Sequence, residues 1–359
     1  DFRLGCSAPV FPMIPLAPQD CRRLLVIKLS SLGDVIHALP AVHALKAAGV
    51  GAVDWVVQPE YADLARACPD VERVILFPRR SAGAGAFAFL RELRRERYDL
   101  VADLQGLLKS AIAARLARAR RRLGPSFHRE GARLFYSAVA GPRNRNRHAV
   151  DECLDALRAL GWPEPAGPPV FPLRVPPFPG AAAPRPRIAL CPRSRWPTKN
   201  WPLEHFVALA RILLARVGGS IHVFGGAADA ADGERIAAEV HDAGPVENHC
   251  GRTGLLELAA WLGGMDLAIT VDSGPMHLAA AVGVPVLALF GPTDPLRTGP
   301  YGAAHRVLRF DRLNCIPCFS AACARGDLAC LRNVFPSAVA EAAGEMLSRK
   351  AKARVDGTP

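Results

Sequence analysis

Short, continuous apolar runs recur along the chain, each ending in a polar turn and followed by a stretch of helical spacing. Leu24–Leu29 (LLVIKL) is the first such run. A strand buried on both faces leaves this signature, and strands of that kind belong to parallel sheets. The turn Ser30–Asp34 (SSLGD) follows, then a helix over 35–48 with a proline near its first turns. AVDWVVQ and ERVILFP read as the second and third strands, and residues 87–97 as a basic amphipathic helix. YDLVADLQG reads as a fourth strand, followed by a helix over LLKSAIAARLARA.

Residues 163–186 (PEPAGPPVFPLRVPPFPGAAAPRP) are too rich in proline for regular structure and read as a stiff connection. A second alternation then begins. It comprises RIALCPRS, a helix from about Leu203, SIHVFGG, a helix from about Gly233, the segment 269–282 and VLALFGP, with a last helix over 336–350. Alternating strands and helices predict doubly wound α/β sheets. The expected division is an irregular lead-in (1–20), a first domain (21–165), a linker (166–186), a second domain (187–335) and a C-terminal helix and tail (336–359). Two such domains bind ligands in the cleft between them.

The segment 269–295 (ITVDSGPMHLAAAVGVPVLALFGPTDP) is the most specific. Asp272, Ser273 and Gly274 stand where a strand ends and a helix starts, so free backbone N–H groups suit a diphosphate. His277 falls in the first turn of that helix. A second polar turn, Gly291–Asp294 with Thr293, returns beside it. Lys199 lies among cations and donors in RSRWPTKNW, which could offset charge on a leaving diphosphate. Glu234, Asp229 and Asp232 are alternatives for a ribose hydroxyl. In the first domain, Asp34 is a candidate general base for a sugar hydroxyl. An aspartate before a helix is equally an ordinary cap.

Composition narrows the classes. The formal net charge is +12 across 359 residues, with half of them apolar. This balance favours phosphorylated, membrane or nucleic-acid partners. The basic runs Arg115–Arg122 and Arg143–His148 carry no interleaved aromatics, against nucleic acid. The first run reads either as a solvated helix face or as a contact for an anionic acceptor or membrane surface. No apolar run is long enough to span a bilayer. The ten cysteines are mostly scattered and fit reduced thiols. Cys315, Cys318, Cys323 and Cys330 are clustered, and could hold a structural metal or act as redox thiols. No Asp-x-Asp pattern suggests a metal in the active site. Neither domain opens with Gly-x-Gly-x-x-Gly, which argues against a dinucleotide dehydrogenase.

Together VIKLSSLGDVIHALPAV, YDLVADLQGLLKSAIAARLA, KNWPLEHF and TVDSGPMHLAAAVGVPVLALFGPTDP resemble the lipopolysaccharide heptosyltransferases of glycosyltransferase family 9, most closely the first-heptose branch. The resemblance implies a GT-B fold of two Rossmann-like domains facing across a cleft. It implies inverting transfer of heptose from ADP-heptose to the Kdo of a lipid A precursor, with no required cofactor. It casts Asp34 as base. Lys199, Asp272, Ser273, Gly274, His277 and Thr293 become donor-site residues. Ser30, Ser31 and Gly33, with Gln105 and Lys109, become acceptor-side residues. The expected setting is cytoplasmic, peripheral on the inner membrane. The cysteine cluster is a feature of other family branches, so a second-heptose or other core acceptor is the alternative. A nucleotide-sugar epimerase and a non-catalytic nucleotide-sugar-binding protein are the readings from other classes.

Overall fold

A computed structural model describes residues 16–78, 84–144 and 146–355. Most of the expected lead-in, residues 1–15, lies outside the described residues, as does Arg145; Pro18–Asp20 form a 3-10 turn. The chain divides into two compact units. The first holds the described residues of Asp1–Ser30, His37–Arg145 and Ala149–Pro172; the second holds Ser31–Ile36, Asn146–His148 and Leu173–Pro359.

The first unit carries β1 (Arg23–Ile27), most of α1 (Leu32–Ala47), β2 (Ala52–Val57), α2 (Ala62–Ala67), β3 (Arg73–Leu76), α3 (Ala84–Leu93), β4 (Tyr98–Asp103), α4 (Leu108–Leu116), β5 (Ala119–Pro125), β6 (Ala138–Ala140) and α5 (Ala149–Leu160). Its strands form one sheet in the order β3-β2-β1-β4-β5-β6, and every pairing is parallel. The second unit carries β7 (Arg187–Cys191), α6 (Leu203–Val217), β8 (Ser220–Val223), α7 (Ala230–Val240), β9 (Val246–Asn248), α8 (Leu255–Gly263), β10 (Leu267–Val271), α9 (Gly274–Ala281), β11 (Val286–Phe290), α10 (Pro295–Thr298), β12 (Arg306–Arg309), α11 (Ala329–Arg332) and α12 (Pro336–Val355). Its sheet runs β12-β11-β10-β7-β8-β9, again wholly parallel.

Renumbered within each unit, both orders are 3-2-1-4-5-6. The winding therefore reverses between β1 and β4, and between β7 and β10. Loops leave a crevice beyond the strand ends at such a switch point. The central strands β7, β10 and β11 are buried at every position, which is why their sequences show no alternation. Trp201, Phe206 and Leu209 of the loop and helix after β7 fill the core of the second unit, together with Val339 and Ala343 of α12. Each fully buried Leu or Phe contributes roughly 2–3 kcal/mol of transfer free energy.

Three local expectations need correction. Helix α1 starts at Leu32, so Asp34 lies inside its first turn and Pro40 sits in the helix interior rather than near its start. The helix expected over 87–97 is α3, Ala84–Leu93; residues 94–97 leave it before β4. The basic run 115–122 is not a helix face. Helix α4 ends at Leu116 and Arg120–Arg122 lie in β5, paired with β4. Arg122 itself stops the helix. Its guanidinium donates to the carbonyls of Ala114 (2.8 Å) and Ala117 (3.1 Å), satisfying groups that the last turn leaves open.

Candidate active site

In the first unit, the ends of β1 and β4 are clamped together. Asp103 is buried at the end of β4 and accepts from the N–H groups of Gln105 (2.8 Å) and Gly106 (3.2 Å) and from the Tyr136 hydroxyl (2.6 Å). Burial pushes its pKa up, and these donors oppose the shift. The turn so fixed presents Gln105, whose Oε1 accepts from the N–H groups of Leu29 (2.9 Å) and Ser30 (3.2 Å). Lys28 Nζ donates to the Leu104 carbonyl at 2.8 Å. Ser30 and Gln105 are therefore adjacent. Lys109 stands exposed in the first turn of α4.

The second unit gathers the rest. Lys199 Nζ lies 2.7 Å from Asp272 Oδ2 and 4.9 Å above the Trp196 ring. Thr293 Oγ1 donates to the same carboxylate oxygen at 2.6 Å. The loop after β7, the end of β10 and the turn after β11 thus meet at one carboxylate. Ser194 N donates to Asn200 Oδ1 at 2.7 Å and closes the Lys199 loop. Ser273 precedes α9 but its side chain caps nothing, and its buried hydroxyl has no partner among the described residues. The first N–H groups of α9 are thus not satisfied by their own cap residue.

Residues 31–36, which group with this unit, lie against the start of α9. A Cβ on Gly33 would come within 2.5 Å of the His277 ring, and one on Gly274 within 2.5 Å of Leu32. Only glycine permits either approach. Asp34 Oδ2 accepts from Ser31 N (3.0 Å) and Ser31 Oγ (2.9 Å), so it does serve the cap of α1. Burial pushes the pKa of His277 down to about 4. The carboxylates of Asp272 and Asp34 oppose the shift, while His148 and Lys199 add to it. At neutral pH this histidine carries no charge.

The three ribose candidates part company. Asp232 accepts from Arg193 Nε, and Asp229 turns back to accept from Gly226 N at 2.8 Å. Glu234 is exposed on α7. The Arg193–Asp232 pair joins residues 39 apart and left no pattern in the sequence. All four clustered cysteines are free thiols. Backbone N–H groups of Leu328, Arg325 and Gly326 aimed at Cys323 draw its thiol below the usual range, and burial pushes Cys330 up. Among the described residues, His222, Glu247 and His249 bring three possible metal-ligand atoms within 4.8 Å of one another. His222 already has hydrogen-bond partners at both ring nitrogens, Ser220 Oγ and His249 Nε2, each at 3.1 Å.

The family model described as glycosyltransferase family 9 (heptosyltransferase) matches residues 86–329. The chain belongs to glycosyltransferase family 9. It is accordingly an enzyme. Lipopolysaccharide heptosyltransferase 1 of Pseudomonas aeruginosa is 33% identical over 84% of this chain and 87% of that protein. Lipopolysaccharide heptosyltransferase 2 of Salmonella typhimurium is 29% identical over 80% of this chain and 88% of that protein. Among solved structures, E. coli heptosyltransferase WaaC with ADP superposes with a TM-score of 0.75 at 29% identity, covering 90% of this chain and 99% of that one. Two Rossmann-like units with this likeness make the family 9 chain a GT-B protein.

Proposed function

We propose that this family 9 glycosyltransferase moves heptose from ADP-heptose to the Kdo of a lipid A precursor in lipopolysaccharide core synthesis, with inversion and without a metal in the active site. The observation that carries the reading is the meeting of Lys199, Thr293 and the start of α9 at Asp272. Cation, hydroxyl and open N–H groups converge there on the space a diphosphate needs. The likeness to heptosyltransferase 1 and to WaaC with ADP supports the donor.

The proposed chemistry is a single displacement. A Kdo hydroxyl attacks the anomeric carbon of the donor as the bond from that carbon to the diphosphate oxygen breaks. Asp34 takes the hydroxyl proton, and ADP leaves with the bonding pair. Lys199 and the α9 N–H groups offset the charge growing on the leaving diphosphate, supplying the stabilisation that a divalent ion supplies elsewhere. Ser273, Gly274 and uncharged His277 line the donor side. Ser30, Ser31, Gly33, Gln105 and Lys109 serve the acceptor.

The acceptor lipid implies work at a cytoplasmic membrane surface, and α4 supports peripheral docking. Leu108, Ile112 and Leu116 recur at helical spacing and are 37–40% exposed, beside Lys109 and Arg115; Leu134 is 89% exposed. Apolar side chains flanked by cations suit an anionic lipid surface.

Incubation with ADP-heptose, with and without Kdo-lipid A, tests the function. Acceptor-dependent ADP release with a gain of one heptose is expected. ADP binding without transfer to Kdo-lipid A, but with transfer to an already heptosylated core, would instead establish the second-heptose reading, which the heptosyltransferase 2 likeness favours. Failure to bind ADP would overturn the donor site.

A further inference from the structure

Residues 310–328 hold no helix or strand, yet they belong to the compact second unit. An irregular segment of that length inside a packed domain needs something to hold it. Phe310, Leu313 and Ile316 pack against the core of the second unit, whereas Cys315, Cys318 and Phe319 between and beyond them are exposed. Three thiols of this segment and that of Cys330 in α11 face one space. Cys315, Cys318, Cys323 and Cys330 all line a single cavity of about 70 Å³, walled on its other side by Thr198 and Pro292.

We propose that these four cysteines bind one thiophilic metal centre, zinc or iron, as a tetrathiolate site. Four thiolates around one space is the donor set that selects those metals. The sequence order fits, with a close pair, Cys315 and Cys318, preceding two further cysteines. The thiols stand around the cavity at wider spacing than the convergent group His222, Glu247 and His249. Binding therefore draws the loop inward until each sulfur reaches a bond length of about 2.3 Å. The irregular backbone between 310 and 328 allows that movement without breaking a helix or strand.

The site also has a role in positioning. Thr198 Oγ1 donates to the Ser320 carbonyl at 2.7 Å, and Phe319 N donates to the Pro292 carbonyl at 2.8 Å. Cys330 Sγ packs on Gly291, where a Cβ would stand 3.2 Å from it. The cysteine loop is thus tied to the residue before Lys199 and to the two residues before Thr293. Those are the two groups that meet at Asp272. A metal that fixes the loop fixes the Lys199 and Thr293 backbones from behind. Metal binding stands apart from the donor assignment, whereas the effect on ADP rests on it, so the two are read separately.

The full chain, purified under reducing conditions, is analysed for zinc and iron. One metal centre per chain is expected, and cobalt(II) exchanged into the stripped protein should give thiolate charge-transfer and tetrahedral d–d bands. Cys318→Ser and Cys323→Ser should each lose the metal and the cobalt spectrum. Stripping the wild-type protein should lower its thermal midpoint and weaken ADP binding several-fold, and readdition should restore both. Absence of metal after reconstitution with zinc and with iron would overturn the proposal. So would metal retained in both cysteine variants, or native disulfides among these cysteines. Metal bound with ADP affinity unchanged on stripping would leave the site standing and overturn its positioning role.

Discussion

Lys199 Nζ and Asp272 Oδ2 lie 2.7 Å apart, and the side chain of Asp272 is only 5% exposed. Thr293 bonds to the same oxygen, so one carboxylate sets the position of a cation and a hydroxyl from two different loops. Replacing Asp272 with Asn leaves Lys199 mostly buried without its counter-charge. Breaking a buried pair in this way costs about 3 kcal/mol, somewhat less where water reaches the ammonium. Asp272→Asn should therefore lower the denaturation midpoint and weaken ADP binding, whereas Thr293→Val should weaken binding with little loss of stability. Calorimetric titration with ADP beside chemical denaturation separates the two effects. Equal ADP affinity in wild type and both variants would remove this carboxylate from the donor site.

Asp34 Oδ2 is already bonded to Ser31 at the start of α1, and the proposed base role asks the same carboxylate to take a proton. Asp34→Asn keeps an oxygen for those bonds but cannot accept a proton. The expected variant folds with an unchanged melting temperature, binds ADP normally and turns over about 10²–10⁴-fold more slowly. Single-turnover assays under saturating donor give the comparison. A variant with near-native rate would leave Asp34 as a cap alone.

The glycine in Ser-Ser-Leu-Gly-Asp is a matter of space. A methyl group on Gly33 would stand 2.5 Å from the His277 ring, well inside contact distance. Gly33→Ala should push the two helix starts apart and reduce kcat/KM, while Gly33→Ala with His277→Ala should recover part of the stability lost. A double-mutant cycle on thermal stability reads this directly, and additive losses would show that the two positions do not meet.

The pH dependence follows from buried histidines. His277 and His222 are each pushed down to about 4, in both cases chiefly by burial, against an ordinary value of 6.5. The unfolded chain takes up their protons below about pH 6.5 while the folded chain resists until about 4. Stability from this source is therefore intact above pH 6.5 and declines as pH falls toward 4. His222→Phe keeps a ring beside Trp261, whose centroid is 5.5 Å away, and removes one titrating group. Urea midpoints between pH 7 and 4 should fall less steeply in that variant, and parallel slopes would exclude His222 as a contributor.

Much of this was legible in the chain because parallel strands buried on both faces leave unbroken apolar runs. LLVIKL and VLALFGP name their strands, and the polar turns after β1 and β10 fall at switch points by topology. Ser273 stands at the turn after β10, and Thr293 at the turn after the neighbouring strand β11. The fate of Arg120–Arg122 was not legible, since three arginines on a strand next to β4 look like the continuation of a basic helix until Arg122 is seen capping it. Nor were Arg193–Asp232 and Thr198–Ser320, which join residues 39 and 122 apart. Side-chain bonds across such separations depend on how loops return over the sheet, and periodicity carries no record of that.

The exposed stripe on α4 makes a last prediction about where the enzyme works. Leu108, Ile112 and Leu116 share a face with Lys109 and Arg115 nearby, and none of the three leucine or isoleucine side chains is buried in its own unit. Ile112→Glu and Leu134→Glu place a carboxylate where the surface would enter an anionic interface, and each forfeits about 1 kcal/mol or more from charge alone. Sedimentation with vesicles of neutral lipid, and of neutral lipid mixed with anionic lipid, is the measurement. The wild type should pellet with the anionic vesicles and be released by salt, since screening shortens the reach of its cations. Both variants should remain in the supernatant while binding ADP as before. Equal sedimentation of wild type and variants would assign any membrane contact to another face, and no sedimentation of the wild type would leave the acceptor to be captured by its sugar alone.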